Sequence, residues 1–478
     1  MPKKIKSIII IMIILILITS CSKSTKSVLI QGIEFEETEI FMNIGETALL
    51  KIIVSPDNAT NQGIDWVSSD NDVATITDGV VTALSAGVAT ITATSIEGGH
   101  TASCRIIINS DDTFVVASRD QWEVAIDYIK NGSEIFNYNI IIINDFHFLG
   151  SDDFTFGERT NIEVSISGKH TLSLNTGGYL LHIGPSQNVK VTDTLLLGFT
   201  PFNNYRQILV LIEGEGAILS LEGEASIQLP IVDIPQRRGV DVYDSGEFYL
   251  KDNASIKHTR LGVLLYSGGK FFMSGGEVAD NIDGLMRINY SGVRVIDGFF
   301  EMTGGSIARN IYYVAGSNIL LENESIFNMY GGEITENVGG ISLVDNATFN
   351  MYGGSISNNR WAIGISDNGS FEMYDGSIMN NIHHAVSIIN QGSIFKMING
   401  SISGSSAVGV FMIDGLFNMI GGIIYGNEAT INPPNLMNKE GALHLVEMRG
   451  TAIYGDGSDI LPHIEGELYY TNYTISFP

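Results

Sequence analysis

Tyr330, Tyr352 and Tyr374 stand 22 residues apart, and so do Trp361 and His383. Rings repeated at one interval can stack on sugars or on a protein partner if the fold brings them to one face. Arg360 and His384 flank the second pair, so an indole, two imidazoles and a guanidinium meet there. That group suits a glycan pocket or an acid–base site. A structural reading stands beside each: an external stabilising stack for the tyrosines, corner packing for the Trp–His group. Tyr330, Tyr352, Tyr374, Trp361 and His383 are the candidate ligand-binding residues.

A second column is acidic or amide: Asp297, Asn323, Asp345, Asp367, Asn390 and Asp414, each five to seven residues before a methionine. Carboxylates on neighbouring strands, roughly 5 Å apart, could hold calcium together with backbone carbonyls. Asp345, Asp367 and Asp414 are the calcium candidates. Asp-Gly and Asp-Asn are also ordinary turn dipeptides, and the turn reading is preferred, so no cofactor is expected. For catalysis, Arg287 and Arg294 with Asp280, Asp283 and Asp297 come nearest to a lyase or paired-carboxylate arrangement. They match no lyase or glycosidase signature, and no catalytic residue is assigned.

The elements that position these groups follow from a repeat over residues 271–427: Phe-x-Met, usually Gly-Gly, a polar residue with Ile, then Asn. The methionines are Met273, Met302, Met329, Met351, Met373, Met397 and Met419, at steps of 29, 27, 22, 22, 24 and 22 residues. Phe and Met at i and i+2 share one strand face, and the residue between them points away. Those between-residues (Glu301, Asn328, Asn350, Glu372, Lys396, Asn418) are polar, so the pattern is apolar-in, polar-out. The glycines make one corner and the recurring Asn281, Asn310, Asn337, Asn359, Asn381 and Asn427 another, with Ser405 substituting once. Runs such as Ala362–Ile365 supply a third side. Three short strands in about 22 residues are one coil of a parallel β-helix, and each coil needs its neighbours. The Asn residues should form a ladder of amides from coil to coil.

The pattern resembles the right-handed β-helix of the pectin-lyase-like superfold, over roughly residues 113–470. That resemblance implies architecture and leaves function open, because the fold hosts lyases, hydrolases, adhesins and stalks. About fourteen coils are expected, the ones over 140–250 being less regular. Ser118-Arg119-Asp120-Gln121 reads as a capping box opening a helix over about 118–130, a lid on the first coil. The first strand is placed at Ile140–Ile143, and His444–Met448 reads as part of a further coil.

Residues 28–109 read as a separate β-sandwich, with Ala89, Ile91 and Ala93 facing in and Thr90, Thr92 and Thr94 out. Trp66-Val67-Ser68-Ser69-Asp70 and Gly87–Thr94 closely resemble the bacterial immunoglobulin-like domain, group 2. The resemblance implies a spacer or adhesion module.

The N-terminus has three lysines, an apolar run from Ile8 to Ile18, and Ile18-Thr19-Ser20-Cys21, which resembles a lipobox. The resemblance implies a signal peptide over 1–20 and a lipidated Cys21, followed by a tether to residue 27. An uncleaved anchor or an ordinary secretion signal is the alternative. With Ser22 after the cysteine, the expected place is the cell envelope, lipid-anchored at the outer membrane or cell surface. Cys104 is then the only free thiol and is expected to be buried. The net charge of −27, becoming −30 once the signal peptide is lost, excludes nucleic acid as a partner.

The expectation is an all-β chain: an immunoglobulin-like sandwich, then a β-helix with an N-terminal capping helix. It binds or adheres without catalysis through the lateral face, to an extracellular glycan or to a protein of a host or neighbouring cell. A carbohydrate-active enzyme and a structural stalk are the alternatives.

Overall fold

In the computed structural model, Thr348–Met351, Ser355–Ser357 and Ile363–Ile365 are the three strands of one coil. Each pairs in parallel with its counterpart in the next coil, 22 residues on for the first two and 23 for the third. The structure describes residues 27–132, 134–174, 178–198, 207–229, 237–283, 290–312, 317–407, 409–412, 415–425, 427 and 444–448. Among them, the coils build three parallel sheets of fourteen, twelve and ten strands. Ten coils therefore have all three sides. The expected signal peptide, Cys21 and most of the tether lie outside the described residues, as do Arg287, Asp414 and the segment 428–443.

The phenylalanines pack as the repeat requires. Rings from Phe248 to Phe417 stack at centroid separations of 4.2–5.0 Å with interplanar angles of 15° or less. The methionines and the Ile column run beside them, fully buried. Burying one such side chain is worth about 1.5–3 kcal/mol, so the columns supply most of the driving force. The glycine corner has a steric reason: Gly354 sits at φ +86°, and a Cβ there would lie 2.6 Å from the methyl of Met329 and 2.8 Å from a carbonyl oxygen.

The Asn ladder is present. Asn359 Oδ1 accepts from the backbone N–H and the Nδ2 of Asn337, both at 3.0 Å, while Asn359 Nδ2 donates to Ile334 O and to Asn381 Oδ1. Asn281, Asn310 and Asn337 repeat the arrangement. At Ser405 the backbone N–H takes up the bond, donating to Asn427 Oδ1 at 2.9 Å.

The beginning of the solenoid differs from expectation. Its first strand is Thr113–Val116, ahead of the helix, and pairs with Asn137–Ile142. A run of four residues before a helix carries no repeat to mark it. Helix α1 (Arg119–Asn131) then lays Trp122, Ala125, Ile126 and Ile129 over the end of the core. Ser118 Oγ accepts from Gln121 N at 3.5 Å, and Gln121 Oε1 accepts from Ala117 N at 2.6 Å. At the far end His444–Met448 pairs with Gly415–Met419.

Contacts divide the chain between Ser110 and Asp111. The N-terminal unit has sheets of four, three and two strands. Ala89, Ile91 and Ala93 are buried in it and the intervening threonines half-buried, because Gly87–Ser95 alternates against Thr101–Asn109. Cys104 is fully buried, and that burial pushes its thiol up to about 11, which makes it inert.

Candidate functional site

The period that aligns the core also aligns the surface. Tyr330, Tyr352 and Tyr374 follow the methionine strands at the glycine corner and form a column with centroids 4.7 and 4.6 Å apart and planes within 15°. They are 48%, 37% and 36% exposed. The stack has a consequence the sequence did not show: Tyr352 has a neighbour on each ring face, so the column offers edges and hydroxyls rather than faces. Tyr374 Oη donates to Glu372 at 2.5 Å, and this bond pushes the phenol up to about 12.

Trp361 lies at a different corner, just after the Asn ladder. Backbone N–H groups of Val338, Arg360 and Ile382 donate to the ladder carbonyls one coil back, which places Gly339, Trp361 and His383 in the next column. The indole is 42% exposed and stacks on the His383 ring at 4.1 Å and 25°. The coil after it has one extra residue: four steps lead from Asn359 to Ile363 but five from Asn381 to Val386, and Ile363 pairs with Val386. That insertion admits His384, whose ring lies flat on Phe411 at 4.4 Å and 7°. Burial, then the charge of His383, pushes His384 down to about 4; burial, then the charge of Arg360, lowers His383. Both imidazoles are neutral at pH 7. An indole beside neutral rings suits a hydroxyl-rich neutral ligand better than an anion, and it supplies no strong acid.

Asp345 and Asp367 occupy left-handed turn positions, φ +54° and +50°, as do Asp297 and Asn323. Within this column Asn390 Nδ2 donates to Asp367 Oδ1 at 2.7 Å and Asn323 Nδ2 to Asp297 Oδ2 at 2.8 Å. Among the described residues no three His, Cys, Asp or Glu side chains gather as metal ligands. Of the arginine–aspartate group, Arg294 pairs with Glu322 and Asp280 accepts from Arg309 Nε at 2.9 Å, while Arg287 lies outside the described residues.

Sequence reading missed a polar cluster on the outer side of the third sheet, over the less regular coils. His182 is held between Phe154 and Tyr179, at centroid distances of 4.5 and 5.0 Å, with Nδ1 2.9 Å from Asp152 O and Nε2 3.2 Å from Glu213 Oε2. One strand further on, Asp241 is fully buried, with Oδ2 2.7 Å from Arg238 Nη2 and accepting from Tyr243 Oη at 3.1 Å. Burial pushes Asp241 up to about 7 against the pull of Arg238. The one signal in the sequence is an acid between two core valines, Val240-Asp241-Val242.

Residues 30–106 match the bacterial Ig-like domain (group 2). An uncharacterized protein of Clostridium acetobutylicum is 33% identical over 117 residues, 23% of this chain and 12% of that protein. A 3-O-alpha-D-galactosyl-alpha-L-arabinofuranosidase of Bifidobacterium longum subsp. longum is 38% identical over 72 residues, 15% of this chain and 6% of that enzyme. An alpha-L-arabinofuranosidase of the same subspecies is 37% identical over 76 residues, 16% of this chain and 7% of its own length. This chain thus spans about an eighth or less of the length of these curated relatives. Sequence match and strand pairing together identify the molecule as a bacterial Ig-like domain (group 2) at residues 30–106 followed by a parallel β-solenoid.

Proposed function

We propose that this chain is a lipid-anchored envelope protein that binds glycans through the lateral face of its solenoid without turning them over. One observation carries the reading: coils that bury every Phe completely leave Tyr330, Tyr352, Tyr374 and Trp361 exposed and in register on their corners. Exposing four large rings in successive coils has no core-packing benefit, whereas an aromatic edge or face beside neutral imidazoles matches the CH-rich faces and hydroxyls of sugars. Cys21 supplies the anchor, at the outer membrane or cell surface, and the negative charge keeps nucleic acid away. The arabinofuranosidase names of two partial relatives support a saccharide setting.

The test is retention of the detergent-solubilised full chain on immobilised arabinan, arabinogalactan and other neutral polysaccharides. Retention on at least one is expected, weakened about three- to tenfold by Trp361→Ala. Failure on the whole panel sinks the reading.

A second reading, a carbohydrate-active enzyme, is favoured by the same two relatives. Its measure is arabinose or new reducing ends released from arabinan by the full chain, with and without calcium. Release would replace the non-catalytic reading.

A further inference from the structure

At the lid end of the solenoid, away from the aromatic corners, helix α1 and the segment 149–158 border two clefts of about 340 and 370 Å³. Both volumes lie within the ~300–1,000 Å³ range of ligand sites. The clefts adjoin, sharing Lys130, Asp153 and Phe154 in their walls. The larger apolar side chains beneath the first are Trp122, Ile126, Phe148 and Leu180, all buried, with Trp122 stacked on Phe148 at 5.4 Å. They form an apolar floor.

The rim has the opposite character. Asp127 comes from α1, and Asp152, Asp153 and Glu158 from the facing segment; all four are exposed. Among the described residues none of the four is in an ion pair, whereas Glu123, also on the wall, is held by Arg119 at 2.6 Å. Lys130 is the one cationic side chain in the lining. The aromatic walls are Phe154 and Tyr179, fixed by packing on either side of His182. An apolar floor, π faces and a surplus of carboxylates outside the described ion pairs are complementary to one ligand class.

We propose that this cleft binds an organic cation, an ammonium head carried on an apolar body. The body lies on the Trp122–Phe148 floor, and the head sits among Asp127, Asp152, Asp153 and Glu158 and against the Phe154 or Tyr179 ring. Exposed carboxylates give modest individual energies, so affinity is millimolar for a simple amine and falls with salt.

The experiment is a calorimetric titration of the full chain with hexylammonium chloride, beside hexanol as the neutral analogue of the same length. Hexylammonium is expected to bind saturably, about tenfold or more tighter than hexanol, and to weaken as salt rises. Asp153→Asn with Glu158→Gln is expected to cost about fivefold or more, and Lys130→Glu to tighten binding; all three positions are exposed, so the fold survives. Equal binding of hexanol and hexylammonium, no effect of the double variant, or no saturable heat at millimolar amine would each overturn the site. None of these results bears on glycan retention, so the two proposals fail separately.

Discussion

The Asn281–Asn381 column and the Tyr330–Tyr374 column run along the same coils, and from Tyr330 to Tyr374 they advance by the same 22 residues. The asparagines are buried, and amides such as that of Asn359 are satisfied by the coils on either side. The tyrosines lie outside and touch one another chiefly through their rings. Periodicity alone assigns neither role; the face of the coil does. A buried amide without a partner is costly, so the inner column is coupled to folding. An exposed ring stack adds a modest increment and leaves edges for a ligand.

The comparison breaks most severely inside. Phe349→Ala should cost about 3–5 kcal/mol by leaving a cavity in the stack, read from urea unfolding of the full chain. Asn359→Ala should cost about 3 kcal/mol or more, because Asn337 loses its acceptor and Ile334 O and Asn381 Oδ1 lose a donor. If that loss stays under about 1 kcal/mol, the ladder is not holding the coils together. Outside, Tyr352→Ala should cost about 1 kcal/mol, and Tyr352→Phe should be nearly neutral because the ring stack survives. A loss as large as that of Asn359→Ala would erase the distinction between the columns.

The smallest effect is on pH dependence. His384 is held at about 4 against an ordinary 6.5, so its neutral form is the one the fold favours. That contribution is complete above pH 6.5 and is lost as pH falls through 6.5 toward 4. His384→Phe, which can still stack on Phe411, should flatten the stability profile over this interval. An unchanged slope would assign the acid sensitivity to other groups.

Much of the solenoid was legible because its rule is local. Phe349 and Met351 face in, Asn350 faces out, and a step of 22 residues then aligns Phe with Phe, Asn359 with Asn381 and Trp361 with His383. The same arithmetic found the tyrosine column, though not that stacking would cover both faces of Tyr352. Where coils change length, the rule fails. The strands beginning at Ile162, Gln187, Ile218 and Glu247 are 25, 31 and 29 residues apart and lack the glycine pair, so neither the pairing of His182 with Glu213 nor the burial of Asp241 beside Arg238 could be counted out. Thr113–Val116 was missed for a related reason: a helix separates it from its partner strand. The cleft under α1 depends on how segment 149–158 lies against the helix, which no repeat encodes.

The most direct measurement compares three forms of the detergent-solubilised full chain on immobilised neutral polysaccharides: native, Trp361→Ala, and Tyr330, Tyr352 and Tyr374 all changed to alanine. Retention of the native chain, weakened about three- to tenfold by either set of changes with unfolding otherwise close to native, is the predicted result. Retention that is absent in the native chain, or indifferent to both sets of aromatic residues, contradicts a glycan-binding lateral face.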